Sequence, residues 1–320
     1  MEKTFQITDA VLENTPALVS LWGPSNSGKS LTAILIARGL VGPSGKIGLI
    51  DTENRRAKFY AQQAGGWRHL DLQPPFSPER YDAAYHALLD DGCNCIVVDS
   101  MSHIWEGEGG VIDMAEAQTS TGLQKWNKPK TAYKKTMNDF LRSPVHMIFT
   151  LRAKRRFLQV GKGRDAKVEE SGLAPICGDR FVHEMTASFL MGPDRKPVIP
   201  GDGAAYMPDP LTPCIKITEG LRHIVKPGEY LGVNTGEAIA AYLGSGAAVD
   251  HDAESALRVA RDVSAFGFAR LTQHCETQTP AVKATLRKHW GELKALADKA
   301  DADTKPEPDD APMFPEPQEG

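Results

Sequence analysis

Four short runs of apolar, β-prone residues stand out along the chain, at residues 17–22, 46–51, 95–99 and 145–151. Each is short for a helix and too continuously apolar to be half-exposed, so each predicts a strand buried on both faces. Between the first two, SLTAILIARGL carries apolar residues all round a helical wheel, and Gly39 sits near a plausible C-terminal end. Residues 78–89 and 113–141 supply further helical patterns, ahead of the third and fourth strands respectively. Helices alternating with apolar strands predict right-handed crossovers and an α/β fold, a doubly wound, mainly parallel sheet covered on both faces.

Beyond residue 161 the pattern shortens. ASFLMGP, AAYMPDPLTPCIKITEG and LRHIVKPGEYL are punctuated by Gly and Pro and predict antiparallel strands at the sheet edge, while residues 237–243 predict a short closing helix. GSGAAVDHD reads as a linker. Residues 253–300 are helix-forming with a break near 277–280, and predict a small C-terminal helical appendage. The last twenty residues hold seven acids, one lysine and five prolines, a composition that predicts a disordered tail. The expected organisation is therefore a core over residues 1–245, a helical appendage over 246–300 and an acidic tail over 301–320.

Composition narrows the classes without choosing among them. At 320 residues, 41% hydrophobic and 24% charged, the chain can bury a large core. Its net charge of -4 means that any polyanion-binding surface must be a local patch. No stretch reaches the roughly 18 consecutive apolar residues of a spanning helix, and the N-terminus has no long apolar run, so the expectation is a cytoplasmic protein with no membrane partner. The five cysteines include no C-x-x-C pair, which fits free thiols in a reducing compartment, and Cys93 and Cys95 alternate into an apolar run that predicts core packing.

The first strand leads into Gly23-Pro24-Ser25-Asn26-Ser27-Gly28-Lys29-Ser30, with Leu31 next, a match to G-x-x-x-x-G-K-[ST] at every fixed position. Glycines let the backbone curl so that its N–H groups face phosphate oxygens at the positive end of the following helix. In that chemistry Lys29 reaches the β and γ phosphates of ATP, and the Ser30 hydroxyl ligates Mg²⁺. A triphosphate site also needs a carboxylate for the magnesium shell at the end of a buried strand, and CIVVDS supplies Asp99. The second strand ends in Ile50-Asp51-Thr52-Glu53, two more acids on the edge where ligands collect in open α/β sheets. Glu53 is the better candidate to orient the attacking water, with Asp51 as a structural or secondary partner.

Taken together, GPSNSGKS, LIDTEN and IVVDSMSH resemble the RecA-type recombinase core, and DTENRRAKFY, VVDSMSHIWEGEGGVID and FTLRAKRRF resemble still more closely the phage-encoded RecA-like AAA-domain ATPases. The resemblance runs over roughly residues 15–230. It implies a RecA-like fold, ATP hydrolysis with Lys29, Ser30, Asp99 and Glu53 in the roles above, and a recombination-associated or single-strand annealing activity in a bacterial host. Where RecA has an amide side chain after its fourth strand, this chain reads FTLRAK, so Thr150 or Arg152 stands in its place.

Residues 152–167, RAKRRFLQVGKGRDAK, hold seven basic residues and one acid. Arg152, Lys154, Arg155, Arg156, Lys162 and Arg164 can track phosphates while Phe157 stacks on bases, a combination suited to single-stranded DNA on a mobile loop; the resemblance implies the same. Arginines of a lid over the nucleotide are the alternative. A second lysine-rich segment, STGLQKWNKPKTAYKK, carries Trp126 and Tyr133 among five lysines, and is either another channel loop or an exposed amphipathic helix. Trp105, Glu106 and Glu108 fall near the Asp99 edge. His183 and Glu184 in FVHEM lack the second histidine of a zinc protease and read as structural. The leading expectation is an ATP-driven DNA-binding protein forming a homo-oligomeric ring or filament, with the acidic tail open to a replication or recombination partner. A small-molecule P-loop kinase, and a helicase-loader or annealing module with a structural nucleotide, are the alternatives.

Overall fold

The computed structural model describes residues 14–160, 166–178, 181–198, 215–226, 228–245, 251–278 and 280–303. The chain divides into two compact units, Met1–Ala247 and Ala248–Gly320, described here in turn. The first unit opens with β1 (Leu18–Gly23), α1 (Lys29–Val41), β2 (Ile47–Asp51), β3 (Arg68–Asp71), α2 (Pro78–Asp90) and β4 (Cys95–Asp99). Three helices follow, α3 (Ser102–Glu106), α4 (Val111–Glu116) and α5 (Asn127–Leu141). The long β5 (His146–Val160), then β6 (Lys167–Pro175), β7 (Ala187–Leu190), β8 (Ile215–Ile217) and α6 (Val233–Leu243) complete it.

The sheet runs β3-β2-β4-β5-β1-β7-β8, with β6 paired to β5 alone. Every pairing from β3 through β7 is parallel, and β8 joins antiparallel to β7. This is an α/β architecture with a mostly parallel, mixed sheet, compatible with double winding. Alternation along the strands sorts their side chains to two faces. Trp22, Ile50, Ile96, Val98, Met147 and Phe149 pack on one side with α2 and α5 residues such as Tyr81 and Phe140. Val19, Leu21, Ile47, Leu49, Val97 and Ile148 pack on the other with Ile34, Ile36 and Leu40 of α1 and Ile239 of α6. Each large apolar side chain so buried contributes about 1.5–3 kcal/mol.

Several expectations need correcting. The edge strand β3 is unexpected: its four residues are exposed or only partly buried, too polar and short to register in the apolar pattern. Residues 113–141 do not form one helix: α4 ends at Glu116, Gly122 takes φ 63°, and a 3-10 turn at Gly122–Trp126 precedes α5. α1 ends near Gly39 as expected, continuing to Val41 and capped by Gly42 at φ 68°. β7, expected antiparallel, runs parallel to β1 because the chain crosses back before entering the sheet; its four residues are all buried, as a covered parallel strand requires. The LRHIVKPGEYL segment forms a 3-10 turn at Glu219–Ile224.

The basic segment after the fourth strand is also not a loop over its described length. β5 pairs in parallel with β1 as far as Arg152, then leaves the sheet as one arm of a hairpin with β6, with a register shift between Arg156 and Phe157.

The second unit is helical: α7 (His251–Ser264), α8 (Phe268–Glu276), α9 (Pro280–Lys288) and α10 (Trp290–Asp303). Its own small core gathers Leu257, Ala260, Leu271, Val282, Leu286, Leu293 and Ala297, with Phe268 edge-on to Trp290. The Asp301 carboxylate accepts the Phe268 N–H at the start of α8, and Arg261 forms a two-pronged ion pair with Glu292. The acidic tail from residue 304 lies outside the described residues. Among the described residues no helix is long and apolar enough to cross a membrane.

Candidate functional site

The loop after β1 is built for close approach to its own backbone. Asn26 and Gly28 both take left-handed φ, 65° and 79°, which favours glycine at 28, and a Cβ there would also crowd the Arg195 side chain at 3.0 Å. Helix α1 starts at once, leaving the N–H groups of its first turn aimed into the loop. Lys29 Nζ donates to the carbonyls of Gly23 (3.1 Å) and Pro24 (2.6 Å) and to Ser27 Oγ (3.3 Å). Burial lowers its pKa to about 8, against the opposing pull of Asp99 and Glu53.

Two carboxylates sit side by side where β2 and β4 end, since Asp51 and Asp99 are register partners. They do different work. Asp51 is fully buried and accepts the Glu53 N–H (2.8 Å) and the Ala57 N–H (3.3 Å), with His69 Nε2 at 3.0 Å. It builds the turn that carries Glu53. Asp99 accepts from the Thr150 hydroxyl, and its pKa is raised by burial, with the charges of Glu53 and Asp51 adding and hydrogen bonds from Ser30 and Thr150 opposing. Beside it, Ser100 is buried, its Oγ has no partner among the described residues, and the peptide between Asp99 and Ser100 is cis. Ser30, Asp99 and that orphaned Ser100 hydroxyl are hard oxygen donors at one place, a set that fits Mg²⁺ shared with phosphate oxygens.

Glu53 is held by a residue of β5, which lies one strand beyond β4 in the sheet. Arg152 Nε donates to Oε1 at 3.0 Å and Nη2 to Oε2 at 2.7 Å, while His103 Nε2 lies 4.0 Å from Oε1. Burial pushes the Glu53 carboxyl up, but the hydrogen bonds and charge of Arg152 outweigh it and leave its pKa below the ordinary value. His103 bonds Thr52 Oγ1 through Nδ1 (2.7 Å) and stacks on Phe76; burial and the Arg152 charge hold its pKa down. Thr52 Oγ1 in turn accepts the Ser100 N–H at 2.8 Å.

These groups open on one cavity of about 530 Å³, walled by Ser25, Asn26, Gly28, Lys29, Ser30, Leu31, Glu53, Asp99 and Arg152. Its far rim carries Arg195, Tyr230 and Phe59, which the sequence pattern does not reveal. Arg195 sits in the tight turn after β7, and Lys196 beside it places Nζ 5.0 Å from the Tyr230 ring. No spacing rule links such a turn to a loop near residue 28. Thr150 belongs to Asp99, and of the two residues expected to replace an amide sensor only Arg152 faces the cavity.

The nucleic-acid candidates separate accordingly. Arg152 belongs with the phosphate loop. Lys154, Arg155, Arg156 and Phe157 lie on the β5 hairpin arm, where Arg155 pairs with Glu170 (2.9 Å) and Phe157 is exposed. Lys162 and Arg164 lie outside the described residues. Trp105 turns away from the Asp99 edge and walls a different cavity with Trp126 and Tyr133. Cys93 and Cys95 are buried in the strand layer. Neither protein-family models nor curated proteins yield a match to this chain.

Proposed function

We propose that the chain is a RecA-like P-loop ATPase that hydrolyses ATP and acts on single-stranded DNA, of the kind phages use in recombination or replication. One observation carries the reading: Lys29 and Ser30 at the start of α1, Asp99 at the end of β4, Glu53 just past β2 and Arg152 where β5 parts from β1 line a single cavity at the N-terminus of α1. The loop N–H groups and Lys29 hold the triphosphate, with Lys29 exchanging its loop carbonyls for β and γ oxygens. Ser30 and Asp99 would hold magnesium, which when bound would neutralise charge on the phosphates. Glu53 orients water at the γ-phosphate. Arg152 is the cation nearest that carboxylate. Drawn to the γ-phosphate, it stabilises the developing charge and releases Glu53 to face water.

The kinase alternative needs several lid arginines over the phosphates. Arg155 instead pairs with Glu170 on the hairpin, which favours hydrolysis over transfer to a small acceptor. Assembly into a ring or filament belongs to the same proposal, as does a replication or recombination partner for the acidic tail.

Glu53→Gln decides between a motor and a module with a structural nucleotide. We expect ATP affinity to stay near wild type while turnover falls by about 10²–10⁴-fold, read by phosphate release with and without single-stranded DNA. Unchanged turnover in the variant would remove Glu53 from the chemistry, and absence of phosphate release from the wild-type chain would remove the hydrolytic reading.

A further inference from the structure

The second large cavity has a composition of its own. It encloses about 610 Å³, within the range of small-ligand sites, and is walled by Trp105 of α3, Trp126, and Tyr133, Met137 and Phe181. Trp105 and Trp126 lie nearly parallel, 18° apart with centroids separated by 6.4 Å, and Tyr133 stands edge-on to Trp105 at 5.3 Å. All three are only partly buried.

Cations cluster at the same place. Lys125 and Lys130 put Nζ 5.8 and 5.6 Å from the Trp126 ring centroid, and Lys134 also lines the cavity. Residues 117–138 contain five lysines and no acid, in a chain whose net charge is -4. Glu184 is the opposing charge on the rim. An apolar, aromatic slot bordered by ammonium groups suits a planar base with a phosphate on each side. A neutral apolar ligand would leave the lysines without a role, and a paired duplex base could not enter.

We infer that this cavity takes unpaired bases of single-stranded DNA, stacked on Trp126 and Trp105, with Lys125, Lys130 and Lys134 on the flanking phosphates. The inference rests on the proposed function and gives its polymer a location away from the basic hairpin. A physical link to the nucleotide cavity is present. Within the five residues of α3, Ser102 Oγ accepts the Arg152 N–H (2.9 Å), His103 bonds Thr52 beside Glu53, and Trp105 lines the aromatic cavity. A strand that moves Trp105 therefore moves the residues that hold Glu53 and Arg152, and by reciprocity nucleotide alters the grip on the strand.

The test is fluorescence anisotropy of a labelled oligothymidylate on the full chain, without nucleotide. We expect Trp126→Ala to weaken binding about tenfold or more, the scale of one lost base–aromatic stack, and Trp126→Phe to restore most of it. The pair Lys130→Glu and Lys134→Glu, exposed positions that need not disturb folding, should weaken it to a similar degree. Lys154→Glu on the hairpin should weaken it less. Binding unaffected by both the Trp126 and the lysine variants would overturn the assignment, as would equal affinity for a duplex, or tighter binding of an oligouridylate. A 5-iodouracil strand that photo-crosslinks to the hairpin and not to the peptide holding Trp126 would overturn it too. Because these arms contain no ATP, they stand or fall separately from phosphate release by the wild-type chain, which alone judges the hydrolytic reading.

Discussion

Lys29 begins α1 with its ammonium turned back on the carbonyls of Gly23 and Pro24, and burial has drawn its pKa to about 8 from the usual 10.5. The sign follows from linkage. The folded chain releases this proton more readily than the unfolded chain, so unliganded stability rises with pH between about 8 and 10.5. Phosphate oxygens favour the charged form, so nucleotide binding restores the proton. We expect proton uptake on ATP binding near pH 8, and affinity that falls as pH rises past it, measured calorimetrically in buffers of differing ionisation enthalpy. Binding heats independent of buffer would sink this. Lys29, Ser30, Asp99 and Glu53 were legible because each sits at a fixed offset from a strand or glycine turn. Arg152 was legible only as one charge in a basic run. Its partner lies 99 residues away, and the ion pair exists because β5 passes between β1 and β4.

At the scale of elements, α1 shows why a helix can be apolar all round. It lies against the sheet and is crossed by α6, and Gly39 sits where the two backbones nearly touch. A Cβ there would lie 2.0 Å from the Val233 carbonyl oxygen, and one on Gly236 would lie 2.2 Å from that of Ile36. Helix propensity alone favours Gly→Ala by about 1 kcal/mol. The backbone clash reverses the sign, and we expect Gly39→Ala to destabilise the sheet unit by about 1–3 kcal/mol in urea melts. Gly291 near the start of α10 has open space around it, so Gly291→Ala should instead stabilise the helical unit by about 0.5 kcal/mol. Opposite outcomes would mean that packing does not govern these positions. Periodicity located α1, α2 and the buried strands β1, β2, β4 and β5, but could not show that Gly39 lets a neighbouring helix approach. It also read through the break at Gly122, although Thr119, Ser120 and Thr121 before it and Pro129 after it are poor residues for a helix interior.

For the whole molecule, a net charge of -4 excludes general attraction to DNA, so the salt dependence of binding reports the local patch alone. Contacts from Lys125, Lys130 and Lys134 to a single strand give a slope of log affinity against log salt of about -2, at roughly -0.7 per phosphate. An anisotropy titration across salt concentrations with a near-zero slope would remove the lysines from the interface. The chain order determined on its own the phosphate loop, the acid-tipped strands and the alternation that makes an α/β sheet, because each depends on neighbours within a few residues. The tertiary structure alone decided that β7 runs parallel to β1, that Arg152 clasps Glu53, that Arg195 overlies Gly28 and that two tryptophans share one cavity with a row of lysines. Those facts rest on which strands become neighbours and which faces meet, and burial of the two sheet faces, acting on residues far apart in the chain, selects that arrangement.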